Sequence, residues 1–130
     1  MNTTNTSTRL WLTKMVKTHK KGYRLECKVR NYFKKIGFFV VRQAKSAFPD
    51  IVAINKDTKI FCECKNRKKG DLSKKEKQKL LTLSEKYDGI PLLCTNDRGK
   101  LIFFILFYNG NRIIKKRVEF GENGAIHIQT

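Results

Sequence analysis

The chain has 130 residues, with 29 Lys+Arg against 11 Asp+Glu, a formal net charge of +18 and a pI near 10.1. That length supports one domain with a modest core, and the charge calls for a polyanion as partner, nucleic acid or an anionic membrane surface, rather than a small-molecule substrate. The longest apolar run, Leu101 to Tyr108, is too short for a bilayer, which takes about 20 residues, and no signal-peptide-like segment opens the chain, so no membrane contact is expected. Four cysteines that read as reduced thiols fit a cytoplasmic protein.

In chain order, residues 1–20 read as a basic arm. Its polar start, MNTTNTSTR, is low in complexity, and Lys14, Lys17 and Lys20 follow it. A solvated tail and a phosphate contact are equally good accounts of it. From Lys21 to Ile36 the spacing is helical, with Leu25, Val29, Tyr32, Phe33 and Ile36 in one stripe and Gly37 as the C-terminal cap. Glu26 falls at the edge of that stripe. Spacing alone favours a surface acid paired with Arg30 at i+4, against a carboxylate at the rim of the core.

Phe38 to Val41 reads as a strand too continuously apolar to be half exposed. A polar loop leads to Pro49-Asp50, and Ile51–Ile54 and Lys59–Cys64 then flank Asn55-Lys56-Asp57-Thr58 as the two arms of a hairpin. With Lys56-Asp57 at the tip, Asn55 faces Thr58 and Asp50 faces Glu63. Directly opposed residues have Cβ atoms about 5 Å apart, so two carboxylates meet at the end of an apolar hairpin. Lys65, two residues on, projects from the face of Glu63, while Cys62 and Cys64 point the other way. A plain Glu63–Lys65 ion pair would satisfy the strand acid. Two convergent carboxylates beside one ammonium better suit a bound divalent cation, which prefers hard oxygen ligands.

Past the hairpin lies a basic loop, and Lys65 to Lys79 carries eight cationic residues. This run is either a solvated face or a phosphate track abutting the carboxylates. Ser73 with Glu76 three residues later forms a capping box for a helix reaching Tyr87, with Leu80, Leu81, Leu83 and Tyr87 inward and Gly89 ending it. Strands are predicted over Ile90–Thr95, Leu101–Tyr108, Arg112–Phe120 and Ala125–Gln129, with Asn109-Gly110 as a hairpin signal and His127 exposed. The run Leu101–Phe107 is either buried on both faces or presents Phe103, Ile105 and Phe107 to a partner chain. The four cysteines, Cys27, Cys62, Cys64 and Cys94, contain no C-x-x-C pair and read as reduced thiols.

The order of helix with Glu26, strand, Pro49-Asp50, hairpin, Glu63-Cys64-Lys65, basic loop and helix resembles the PD-(D/E)xK nuclease superfamily. Within it, Lys21-Gly22-x-x-x-Glu26, Gly37-Phe38-x-Val40-Val41-Arg42 with Ser46, and Tyr87-x-Gly89-Ile90-Pro91 look like the archaeal Holliday-junction resolvases. The resemblance implies an α/β, restriction-endonuclease-like domain over residues 21–130, a mixed β-sheet flanked by helices. It implies Mg²⁺, replaceable by Mn²⁺, on Asp50, Glu63 and the Cys64 carbonyl, with Lys65 at the attacking water and Glu26 holding a water or a second metal. Expected DNA contacts are Arg24, Arg42, Lys45, Ser46, Arg67, Lys68, Lys69, Lys74 and Lys75. The implied partners are a four-way DNA junction and a second copy of the chain. A related nicking or restriction-type nuclease, or a non-catalytic basic DNA-binding protein, would carry many of the same features.

Overall fold

In the computed structural model, residues 23–43, 47–66 and 71–129 are described. Residues 23–35 form helix α1, with Leu25, Val29, Phe33 and Ile36 buried along its predicted stripe. Gly37 follows at φ +95°, the left-handed turn that frees the chain to reverse. Seven strands then build one sheet in sequence order. They are β1 (Phe39–Arg42), β2 (Ile51–Ile54), β3 (Lys59–Lys65), β4 (Ile90–Asp97), β5 (Lys100–Asn109), β6 (Arg112–Phe120) and β7 (Ile126–Ile128), with helix α2 (Lys74–Lys86) between β3 and β4. Every neighbouring pair is antiparallel except β3–β4, which is parallel. A parallel pair needs a crossover, and α2 supplies it.

Each face of the sheet has its own core. On one side α1 packs Val29 and Phe33 against Ile51, Cys62, Leu92, Cys94 and Phe103, and Phe33 meets the rings of Phe38, Phe103 and Phe120 at 5.3–5.5 Å. On the other, α2 packs Leu80 and Leu81 against Phe61, Leu93 and Leu106. The run 101–107 is therefore divided between two cores of one chain. Phe103 lies under α1 at 4% exposure and Leu106 under α2 at 2%, so Phe103 is not available to a partner.

Three other expectations need correction. The strand over 38–41 is β1, shifted by one residue, and it is half exposed: Phe39 is 69% and Val41 43% exposed. Helix α2 packs chiefly on β3, β4 and β5, so among the described residues that side of β1 is left exposed at Phe39 and Val41. For the same reason Tyr87, the C-cap of α2, is 49% exposed and Leu83 is half-buried, while Ser84 takes the inward place. The β5–β6 loop is Gly110-Asn111, one residue later than expected, because Asn109 still pairs with Arg112. Gly89 has a packing reason: a Cβ there would lie 2.2 Å from the Phe61 ring. His127 is exposed as expected.

Candidate active site

The site is assembled where β2 begins and β3 ends. Pairing runs Ile51↔Cys62 through Ile54↔Lys59, and the tip closes with Asn55 N–H donating to the Thr58 carbonyl at 2.9 Å. That register carries one step further to Asp50 and Glu63. There the Asp50 N–H donates to Glu63 Oε1 at 2.7 Å, and the Cys64 N–H donates to Asp50 Oδ2 at 2.9 Å. Each carboxylate is thus fastened to the other strand's backbone, and the pairing read from the sequence holds.

Glu63 is 6% exposed. Burial, with the Asp50 charge adding to it, pushes its carboxyl from the ordinary 4.5 to about 8, against the Asp50 N–H and Lys65, which favour the anion. Asp50 is also raised, again by burial, with the Cys64 N–H and Lys65 opposing. Glu26 approaches from α1, raised by burial and by Asp50 in spite of its ion pair with Arg42 at 3.2 Å. Arg42 takes Glu26 as its partner across 16 residues and lies over the Tyr23 ring at 4.9 Å. The i+4 pairing with Arg30 does not form, since Arg30 Nε bonds Asn31.

The carboxyls of Glu26, Asp50 and Glu63 all hold protons more tightly than usual, chiefly because burial disfavours their anions, and Arg42 and Lys65 offset only part of that. That is the environment a hard divalent cation relieves. Among the described residues no three His, Cys, Asp or Glu side chains form a ready cage. Mg²⁺ does not require one, because it is commonly held by one or two carboxylates with waters and substrate phosphate. The donor set therefore fits the expected ion.

The raised Glu63 has a consequence for stability. Its folded value lies above its unfolded one, so between pH 4.5 and 8 the folded chain binds more proton than the unfolded chain, and stability falls as pH rises. Glu63→Gln, which mimics the protonated form, is expected in EDTA to melt about 5 °C above the parent at pH 8, with the gap closing by about pH 5. Equal melting at pH 8 would show that burial does not strain this carboxylate.

Lys65 follows Glu63 by two residues on β3 and so shares its face as expected, but its ion-pair partner is Glu76 at 3.0 Å and not Glu63. The sequence showed Glu76 only as a capping residue. A strand lysine two positions beyond a buried acid, opposite a helix N-terminus carrying an acid, was the available signal. Other cations of the 65–79 run are also engaged: Lys77 with Asp71 at 3.1 Å, and Lys79 over the Phe48 ring at 4.5 Å. Lys74 and Lys75 are exposed at the start of α2, and Arg24 is exposed on α1. Lys45, Ser46, Arg67, Lys68, Lys69 and the arm of residues 1–20 lie outside the described residues. All four cysteines are free thiols; Cys62 and Cys94 are buried, and Cys64 is half-buried behind the site.

Comparison with known proteins decides the family. The model of the archaeal Holliday junction resolvase (Hjc) family matches residues 17–125. The chain belongs to the archaeal Holliday junction resolvase family. A curated relative, the crossover junction endodeoxyribonuclease Hjc of Methanocaldococcus jannaschii, is 32% identical over 107 residues, covering 78% of this chain and 80% of the relative. The crystal structure of Hjc from Archaeoglobus fulgidus, described as a Holliday junction resolvase from an archaeal hyperthermophile, superposes with a TM-score of 0.60 at 29% identity, covering 75% of this chain and 84% of that one. The mixed sheet with one helix on each face is thus the resolvase fold, and the family match spans Glu26, Asp50, Glu63 and Lys65. Among the described residues no helix is long and apolar enough to cross a membrane.

Proposed function

We propose that this chain is a metal-dependent endonuclease that resolves four-way DNA junctions by paired nicks, acting as a homodimer on DNA in the cytoplasm. The observation that carries it is the Asp50–Glu63 pair, locked strand to strand, poor in compensating charge and flanked by Lys65. Asp50, Glu63 and the Cys64 carbonyl would hold Mg²⁺ or Mn²⁺, and Glu26 would hold a water or a further ion. The bound metal supplies neutralisation of phosphate oxygens and activation of the attacking water. Lys65 places an ammonium where charge develops on the scissile phosphate. Arg42 fixes Glu26, and its half-exposed guanidinium is placed to meet a phosphate beside the cut. Reduced thiols suit the same compartment.

Substrate choice is tested by metal-dependent cleavage of a four-way junction, a flap and a linear duplex. Preferential, metal-dependent cutting of the junction is expected. Equal cutting of duplex would indicate a nicking or restriction-type nuclease, and binding without cutting in Mg²⁺ or Mn²⁺ would indicate a DNA-binding protein alone.

Phosphate contacts provide affinity without reading sequence. Lys74 and Lys75, exposed at the start of α2, and Arg24, exposed on α1, would contact junction phosphates, with Lys45, Ser46, Arg67, Lys68 and Lys69 as the further contacts the family resemblance implies. Neutralising Lys68, Lys69 and Lys74 together is expected to flatten the salt dependence of junction binding, lowering the slope of log K against log salt by about two to three. An unchanged slope in the triple variant would make the run a solvated face.

The dimer reading rests on the side of β1 and β2 left exposed among the described residues. Val41 opposes Val52 and Phe39 opposes Ile54, so Phe39, Val41 and Ile54, all exposed, share one face. It continues into a shallow cavity of about 290 Å³ where Phe48, Pro49, Val52, Phe61, Leu83 and Tyr87 are rimmed by Gln43 and Lys59. Contiguous apolar surface of this kind on a highly charged protein marks an interface. A junction offers symmetry-related strands, and a closed two-fold pair is the simplest matching assembly.

A further inference from the structure

We infer that Glu76 is a positioning residue for Lys65, tying the catalytic ammonium to the capped start of α2; this rests on the nuclease reading of the site. Glu76 uses its two oxygens for two tasks. Oε1 accepts the Ser73 N–H at 2.9 Å and closes the capping box, while Oε2 holds Lys65 Nζ at 3.0 Å. The Ser73 hydroxyl returns the bond by accepting the Glu76 N–H at 3.1 Å, so the acid stands on a fixed helix end.

Placement decides what the pair does. Lys65 follows Glu63 by two residues and shares its face, so a free Lys65 ammonium would be drawn to the under-compensated carboxylates. Among the described residues it bonds Glu76 instead. The anion on α2 thus keeps the ammonium beside the Asp50–Glu63 pair without letting it occupy the oxygens a cation needs. It also restricts a long, flexible side chain to one place, as a reaction sensitive to misplacement by about 1 Å requires. Stability is a poor explanation for the contact. Lys65 and Glu76 are 34% and 35% exposed, and exposed ion pairs contribute little. The cap, which does stabilise α2, needs only a Glu or Gln at this position.

That last point separates the two tasks experimentally. Glu76→Gln keeps the capping box and removes the ion pair, while Ser73→Ala weakens the cap and keeps the pair. In single-turnover cleavage of a four-way junction with Mg²⁺, Glu76→Gln is expected to cut about tenfold more slowly, with its melting temperature and junction affinity close to the parent's. Ser73→Ala is expected to melt several degrees lower but, because it keeps Glu76 Oε2 on Lys65, to lose much less rate than Glu76→Gln. Parental cleavage by Glu76→Gln would overturn the inference, as would an equal loss in Ser73→Ala, which would trace the effect to the helix end. Lys65→Met serves as the reference. If it cuts like the parent, the nuclease reading of Lys65 fails; if it is slow while Glu76→Gln is not, the role of Glu76 alone is wrong.

Discussion

Asp50→Asn and Glu63→Gln are each expected to lower junction cleavage by about a thousandfold or more while leaving junction binding intact. Both changes keep side-chain size and a hydrogen-bond acceptor. In the first variant the new amide oxygen can still accept the Cys64 N–H, and in the second it can still accept the backbone N–H of Asp50, bonds of 2.9 and 2.7 Å in the parent. What each removes is an anionic oxygen from the pair proposed to hold a divalent cation, and charge stabilisation at the reacting phosphate is usually the largest single contribution to such catalysis. Binding should survive, because the proposed phosphate contacts are lysines and arginines and the loss of an acid does not weaken their attraction. Junction affinity in EDTA separates binding from chemistry. Either variant cutting near the parental rate in Mg²⁺ would remove the metal assignment.

Much of this site was legible because it depends on a local count. Once Lys56-Asp57 is taken as a two-residue tip, every pair down the hairpin follows, and the alternation of strand faces puts Asp50 with Glu63 and turns Cys62 into the core. Ser73 and Glu76 announced the start of α2 for the same reason, since a capping box spans three residues. The features that were misread are those that join distant segments. Glu26 pairs with Arg42 across the α1–β1 turn and not with Arg30 on its own helix. Helix periodicity shows which side of α1 is buried but not which strand end it meets.

Burial was misjudged for a related reason. Phe38 to Val41 is apolar throughout, which in a sheet covered on both faces means burial. Here no described residue covers the α2 side of β1, and Phe39 and Val41 are exposed. The sequence pattern is the same for a strand covered by its own helix and for one left to be covered by another chain. Glu76 was hidden differently: its capping role already accounted for it, so nothing in the spacing suggested that its second oxygen reached Lys65.

The bare face leads to the second large effect, on assembly. The chain is expected to scatter light at micromolar concentration as a dimer, twice 15.2 kDa, and Phe39→Glu is expected to reduce it to a monomer. Phe39 is 69% exposed within one chain, so a carboxylate there is solvated in the monomer and should not disturb folding. In a two-fold dimer through this face the same carboxylate is buried on both sides without a partner, at a cost of several kcal/mol, enough for about a hundredfold or more in dissociation constant. Phe39 lies at the opposite end of β1 from Arg42, so the Asp50–Glu63 site itself is left alone. Cleavage by the monomer should therefore persist as single, unpaired nicks, with few junctions cut on both strands in one encounter. A dimer that survives Phe39→Glu would place the interface elsewhere. A parent that is monomeric at micromolar concentration and still resolves junctions with paired cuts would end the dimer reading, because one chain offers only one Asp50–Glu63 pair to two symmetry-related strands.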